Sequence, residues 1–178
     1  ALNQAGRKDE AIAAIRTAQR MKPSDLFNYI LLSQFLQETD RYEEAMAALT
    51  EALTWAPESG AVHAEIALVR LSHGELTPAI ESLRYAIELE PTEAEHYNRL
   101  SLALAKADKH KEALAAIETA LKILPEAPHL LDSLGTVYLL RDEPAAAVEA
   151  YERALERAPD QAIFHYNLSR ALHAAGRF

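Results

Sequence analysis

The chain has 178 residues and carries 18 Lys plus Arg against 27 Asp plus Glu, a formal net charge of −9. That balance works against a phosphate backbone or an anionic membrane as partner, because a diffuse negative field repels both. The absence of cysteine excludes disulfide frameworks, thiol nucleophiles and Cys-ligated zinc, and suits the cytoplasm and a bacterial periplasm equally; no apolar run reaches the roughly 18 residues of a membrane span, so the chain reads as soluble.

Five prolines, Pro23, Pro57, Pro91, Pro125 and Pro159, each follow the last by 34 residues. A fixed period over a whole chain is the mark of a repeat array. With the proline at position 32, the chain divides into full repeats 26–59, 60–93, 94–127 and 128–161, flanked by partial repeats 1–25 and 162–178, in a single array 1–178.

The first half of each repeat is predicted to be a helix packing through positions 4, 7, 8 and 11: Tyr29, Leu32, Ser33, Leu36, then His63, Ile66, Ala67, Arg70, then Tyr97, Leu100, Ser101, Leu104, then Leu131, Leu134, Gly135, Tyr138. Position 8 is always small, which lets a paired helix approach. Repeat 60–93 departs most, with His63 and Arg70 where the others are aromatic or aliphatic, and its first helix is expected to pack least well. A turn follows at position 15, held by Gly6, Asp40, Gly74, Asp108, Asp142 and Gly176, residues that favour turn geometry.

The second half is predicted to be another helix, starting near Thr77-Pro78 and near Asp142 and Pro144 in the repeats where proline falls in its first turn. Small residues recur at position 20 (Ala11, Ala45, Ala79, Ala113, Ala147) and position 27 (Ala18, Ala52, Ala86, Ala120, Ala154), with Ile15, Leu49, Leu83, Ile117 and Tyr151 between them at position 24. This i, i+4, i+7 spacing puts two close-approach points and one bulky knob on a single helical face. Caps for the next first helix are expected after each proline, at Ser24 or Asp25, Ser59, Thr92 with Glu95 as a capping box, and Asp160.

This pattern resembles the tetratricopeptide repeat (TPR) family, whose 34-residue unit has an aromatic at position 4, Leu-Gly at 7 and 8, Tyr at 11, Ala at 20 and 27, and Pro at 32. Repeat 128–161 carries the match through Leu134-Gly135, Tyr138, Ala147, Tyr151, Ala154 and Pro159, and the last segment reads Phe164-His165-Tyr166-Asn167-Leu168. The resemblance implies an all-α fold, a right-handed α-solenoid of antiparallel helix pairs, and a non-enzymatic role as a protein-binding scaffold without cofactor.

Catalytic and metal constellations find no support in the residues. The seven histidines lack the spacing that sets two imidazoles on one helical face, and the five glycines stand singly rather than in a phosphate-cradling loop. Acid pairs at Glu43-Glu44, Glu93 with Glu95, and Glu149 with Glu152 fall in first turns or on outward faces, where the helix dipole and solvent account for them. The sequon Asn167-Leu168-Ser169 lies in a predicted helix with Ser169 at a packed position, and is discounted. Trp55, the only tryptophan, is expected to pack between repeats.

The remaining face of the first helices, positions 2, 5, 6, 9, 12 and 13, is expected to line a concave groove that binds a peptide or partner segment. Phe27, Leu31, Leu68 and Leu71 would hold apolar side chains, flanked by Gln34 and Glu65. Asn98, Arg99, Lys106, Asp132, Thr136, Tyr166, Asn167 and Arg170 would read a polar or acidic part. The family's carboxylate clamp for chaperone C-termini is missing, since Ile30, Gln34 and Glu65 hold its positions, and an asparagine ladder keeps one rung, Asn167. The alternative is the recognition arm of a larger enzyme, such as a transferase, with its catalytic domain outside these residues. Because the partial repeats leave helices such as that of Leu168 and Leu172 without a mate, the chain is expected to be a piece of a longer array or to self-associate through its open ends.

Overall fold

The computed structural model describes residues 2–176, with side chains from Arg7 onward; Ala1, Arg177 and Phe178 lie outside the described residues. Ten helices and no strand occur among those residues: α1 (Leu2–Met21), α2 (Leu26–Gln37), α3 (Tyr42–Trp55), α4 (Gly60–Ser72), α5 (Leu76–Leu89), α6 (Ala94–Lys106), α7 (His110–Ile123), α8 (Pro128–Leu140), α9 (Pro144–Arg157) and α10 (Ala162–Ala174). The chain divides into two compact units, Ala1–Glu90 and Pro91–Phe178.

In the first unit α2 pairs with α3 and α4 with α5, α1 packs on α2, and the first helices α2 and α4 lie beside one another. In the second, α6 pairs with α7 and α8 with α9, while α10 packs on α9 and α8, so α6, α8 and α10 form a row.

The alanine stripes explain why the pairs close. Ala45, Ala52, Ala79, Ala86, Ala113, Ala120, Ala147 and Ala154 are all fully buried, as are the knobs Leu49, Leu83, Ile117 and Tyr151 between them. Small side chains at a crossing let two helices approach closely, where larger ones hold the axes further apart. Turn residues behave as the spacing predicts: Asp40, Asp108 and Asp142 take left-handed backbone (φ 56, 57 and 61°) and Gly74 and Gly176 do the same (φ 85 and 69°). Gly6 does not, because α1 runs straight through it; glycine in a helix interior costs about 1 kcal/mol relative to alanine and does not by itself break the helix.

The caps expected at Asp25 and Ser59 form, whereas those expected at Thr92 and Asp160 fall one residue later. The N-cap of every first helix is position 34: Asp25, Ser59, Glu93, Ala127 and Gln161. Asp25 and Ser59 accept the N–H of Phe27 and Val62, whereas Ser24, Thr92 and Asp160 sit in the preceding turn. Glu93 accepts the Glu95 N–H, which puts Glu95 at the second helical position and leaves the Thr92 capping box unformed. Likewise α5 begins at Leu76, so Thr77 is already helical.

Repeat 60–93 packs better than its sequence suggests. His63 Nε2 lies 3.0 Å from the Pro57 carbonyl, the contact that Tyr97 makes to Pro91 (3.2 Å) and His165 to Pro159 (2.7 Å). Its ring also meets Tyr85 edge-on at 4.6 Å. Arg70 is satisfied internally, donating to the Pro78 carbonyl at 3.1 Å and to Ser82 Oγ at 2.6 Å.

Candidate binding face

The second unit concentrates polar groups on the row α6, α8 and α10. On α6, Glu95 is a hub: it accepts Asn98 Nδ2 at 3.2 Å and Arg99 Nε at 3.2 Å, with His129 Nε2 of α8 at 3.7 Å. On α8, Asp132 accepts Asn167 Nδ2 from α10 at 2.8 Å. Burial holds the Asp132 carboxyl above the ordinary aspartate range, and the Asn167 bond opposes that shift. Arg170 lies over the Tyr166 ring, 5.9 Å from its centroid.

One member of this cluster comes from a second helix. Tyr151 on α9 is fully buried, and its hydroxyl lies 3.1 Å from Thr136 Oγ1, beneath the face. Gly135 makes the passage: a Cβ built there would stand 2.7 Å from the Tyr151 ring. Burial raises the Tyr151 phenol, so it stays a neutral hydroxyl, able to donate or accept. The sequence carried the signal, since the repeat with tyrosine at position 24 is the one with glycine at position 8.

The tetratricopeptide repeat models match residues 28–59, 64–128 and 133–178. The chain belongs to the tetratricopeptide repeat family. It is 30% identical over 164 residues to a TPR repeat-containing protein of Pseudomonas aeruginosa, covering 91% of this chain and 28% of that protein. It is 28% identical over 151 residues to the human protein O-mannosyl-transferase TMTC1, covering 83% of this chain and 17% of that one. Thus the chain spans less than a third of the length of these relatives. Among solved structures, a thermophilic TPR protein of Thermus thermophilus superposes with a TM-score of 0.83 at 21% identity, covering 97% of this chain and 94% of that one. The TPR fold mediates protein–protein interaction in general.

The tetratricopeptide residues expected to bind a partner divide by unit. In the second, Asp132 and Asn167 meet directly, Asn98 and Arg99 meet through Glu95, Thr136 joins through Tyr151, and Tyr166 joins Arg170; Lys106 is exposed. Asn98 and Asn167 are nearly buried, 7% and 8% exposed, so their amides position neighbours as much as they face outward. In the first unit, Phe27 is 66% exposed and Gln34 is exposed, while Leu31 packs against the core and Leu68 and Leu71 are half-buried. Glu65, expected on the open face, is instead buried at 2% exposure and accepts Ser33 Oγ at 3.3 Å and Gln37 Nε2 at 3.5 Å. Trp55, expected between repeats, is 52% exposed, because position 30 ends the second helix at a rim where Met21 and Ile123 are also exposed.

No group of three or more acidic or histidine side chains that could hold a metal occurs among the described residues, and no described helix is long and apolar enough to cross a membrane.

Proposed function

We propose that this chain is a non-enzymatic binding scaffold whose first-helix face grips a peptide or partner segment. One observation carries the chemistry of the ligand: the acids on the second unit's face are already engaged, whereas two of its cations are not. Glu95 is taken by Asn98, Arg99 and His129, and Asp132 by Asn167. Lys106 and Arg170 have no carboxylate partner among the described residues. The outstanding charge is therefore positive within a chain of net charge −9, which favours an acidic segment. In the first unit, the exposed Phe27 and half-buried Leu68 and Leu71 would take apolar side chains.

The test is an arrayed library of acidic and neutral peptides probed with the wild-type chain and with Lys106→Glu/Arg170→Glu. Loss of the acidic hits with an unchanged melting curve supports the assignment; equal binding by both proteins refutes it.

A second reading, in which the array is the recognition arm of a larger enzyme, draws support from the likeness to a human O-mannosyl-transferase over 17% of that protein. Sequencing the complete reading frame decides between the two.

A further inference from the structure

Gln19 breaks a pattern that the other repeats keep. At its repeat position the chain elsewhere has Leu53, Ile87, Leu121 and Leu155, each half-buried between helices. Where Gln19 stands, a cleft of about 650 Å³ opens between α1 and α3, with Tyr29 and Leu32 of α2 and the small Ala47 and Ala48 among its lining. That volume lies within the range of small-ligand sites.

The polar groups of this cleft are unmatched. Gln19 Nε2 is buried without a hydrogen-bond partner. Arg20, which also lines the cleft, donates to its own helix's Thr17 Oγ1 at 2.8 Å and pairs with no carboxylate among the described residues. Across from them Glu51 accepts the Tyr29 hydroxyl at 3.1 Å and pairs with no cation among the described residues. Arg16, by contrast, is already bonded to Glu44. Tyr29 is itself exceptional: His63, Tyr97 and His165 close onto a proline carbonyl from the same repeat position, whereas its hydroxyl turns to Glu51.

We propose that this cleft binds a zwitterion carrying one ammonium and one carboxylate group, the chemistry of a free amino acid or of a short peptide with free ends. The carboxylate is received by Arg20 and the Gln19 amide, the ammonium by Glu51, and the apolar part lies on Leu32 and the two alanines. A ligand of single charge leaves either Arg20 or Glu51 without a counter-charge. The cleft lies wholly in the first unit, so its test is independent of the acidic-peptide face of the second.

Trp55 supplies the readout. It is the only tryptophan, and its side chain lies beside the Tyr29 hydroxyl. Tryptophan emission and backbone amide shifts are followed as the 178-residue chain is titrated with trialanine, N-acetyl-trialanine, trialanine amide and L-alanine. Trialanine or L-alanine is expected to give a saturable response on α1 and α3, and comparison of the two tells a peptide from a free amino acid. Each blocked peptide should bind about tenfold more weakly than trialanine. Gln19→Leu should weaken binding while keeping the melting curve, and Glu51→Gln should erase the preference for a free amino terminus. A saturable response equal for free and blocked peptides, no response to either zwitterion, or full binding by Gln19→Leu would overturn the proposal.

Discussion

Replacing Gly135 by alanine tests the packing at the centre of the second unit. The new Cβ would stand 2.7 Å from Cε1 and Cζ of Tyr151 and 2.9 Å from Cδ1, inside any distance that such atoms adopt. The ring cannot swing clear, because it is fully buried and its hydroxyl is tied to Thr136. Overpacking of this kind costs about 1–3 kcal/mol, against a gain of about 0.5–1 kcal/mol from alanine's better helix propensity. The expected net loss therefore lies between about 0 and 2.5 kcal/mol, near 1 at mid-range. In Tyr151→Leu the clash has no partner, as in the repeats that pair Ser33 with Leu49 or Ala67 with Leu83. Gly135→Ala in that background should be neutral or slightly stabilising. The assay is a double-mutant cycle by urea unfolding, with m-values compared so that a change in cooperativity is not read as stability. Additive effects, within about 0.5 kcal/mol, would refute the packing argument. Gly60→Ala makes the control: its Cβ would meet only the flexible end of Glu90, at 2.6–2.9 Å, and the loss should be smaller.

Three further outcomes follow from the same geometry. Leu83→Ala, at a fully buried knob, should cost about 2–5 kcal/mol, with amide exchange rising mainly in the adjacent helices. Asp142→Ala should cost about 1 kcal/mol and Asp142→Gly almost nothing, because its φ of 61° suits glycine; thermal melts distinguish them. Asp132 binds its proton more tightly folded than unfolded, so its ionisation weakens the fold as pH rises from the ordinary aspartate range through its raised folded value. Asp132→Asn should therefore raise the urea midpoint near neutral pH, and that advantage should vanish below about pH 3, where both forms are uncharged.

The periodic part of the fold was legible because it depends on side-chain volume at fixed spacing. Alanines at positions 20 and 27, and the aspartates and glycines at the turn, can be read without knowing what they touch. Arg70 misled for the opposite reason: its role rests on Ser82 and the Pro78 carbonyl, contacts made across a helix pair that a linear pattern does not display. Position 33 misled because proline is followed by one more turn residue before the helix begins, which moves the cap to position 34. On the candidate face, helical spacing brought together Asp132 and Asn167, which bond directly, and Thr136. It passed over the Tyr151 hydroxyl, which arrives from a second helix through a gap, and it assigned Glu65 outward because spacing alone does not say how closely α2 and α4 approach.

The two kinds of connection differ in how they are fastened. Between a second helix and the next first helix, the carbonyls of Pro57, Pro91 and Pro159 are held by a ring six residues further on. Between a first helix and its mate, Asp40, Asp108 and Asp142 stand exposed at the bend, which is closed by backbone bonds such as Arg41 N–H to Leu36, Lys109 N–H to Leu104 and Glu143 N–H to Tyr138, with the aspartate side chains making no hydrogen bond there among the described residues. Extra sequence, whether an epitope tag, a fluorophore acceptor peptide or a natural insertion, is thus best accommodated beside those aspartates, and the proline corners are where the repeat length is enforced.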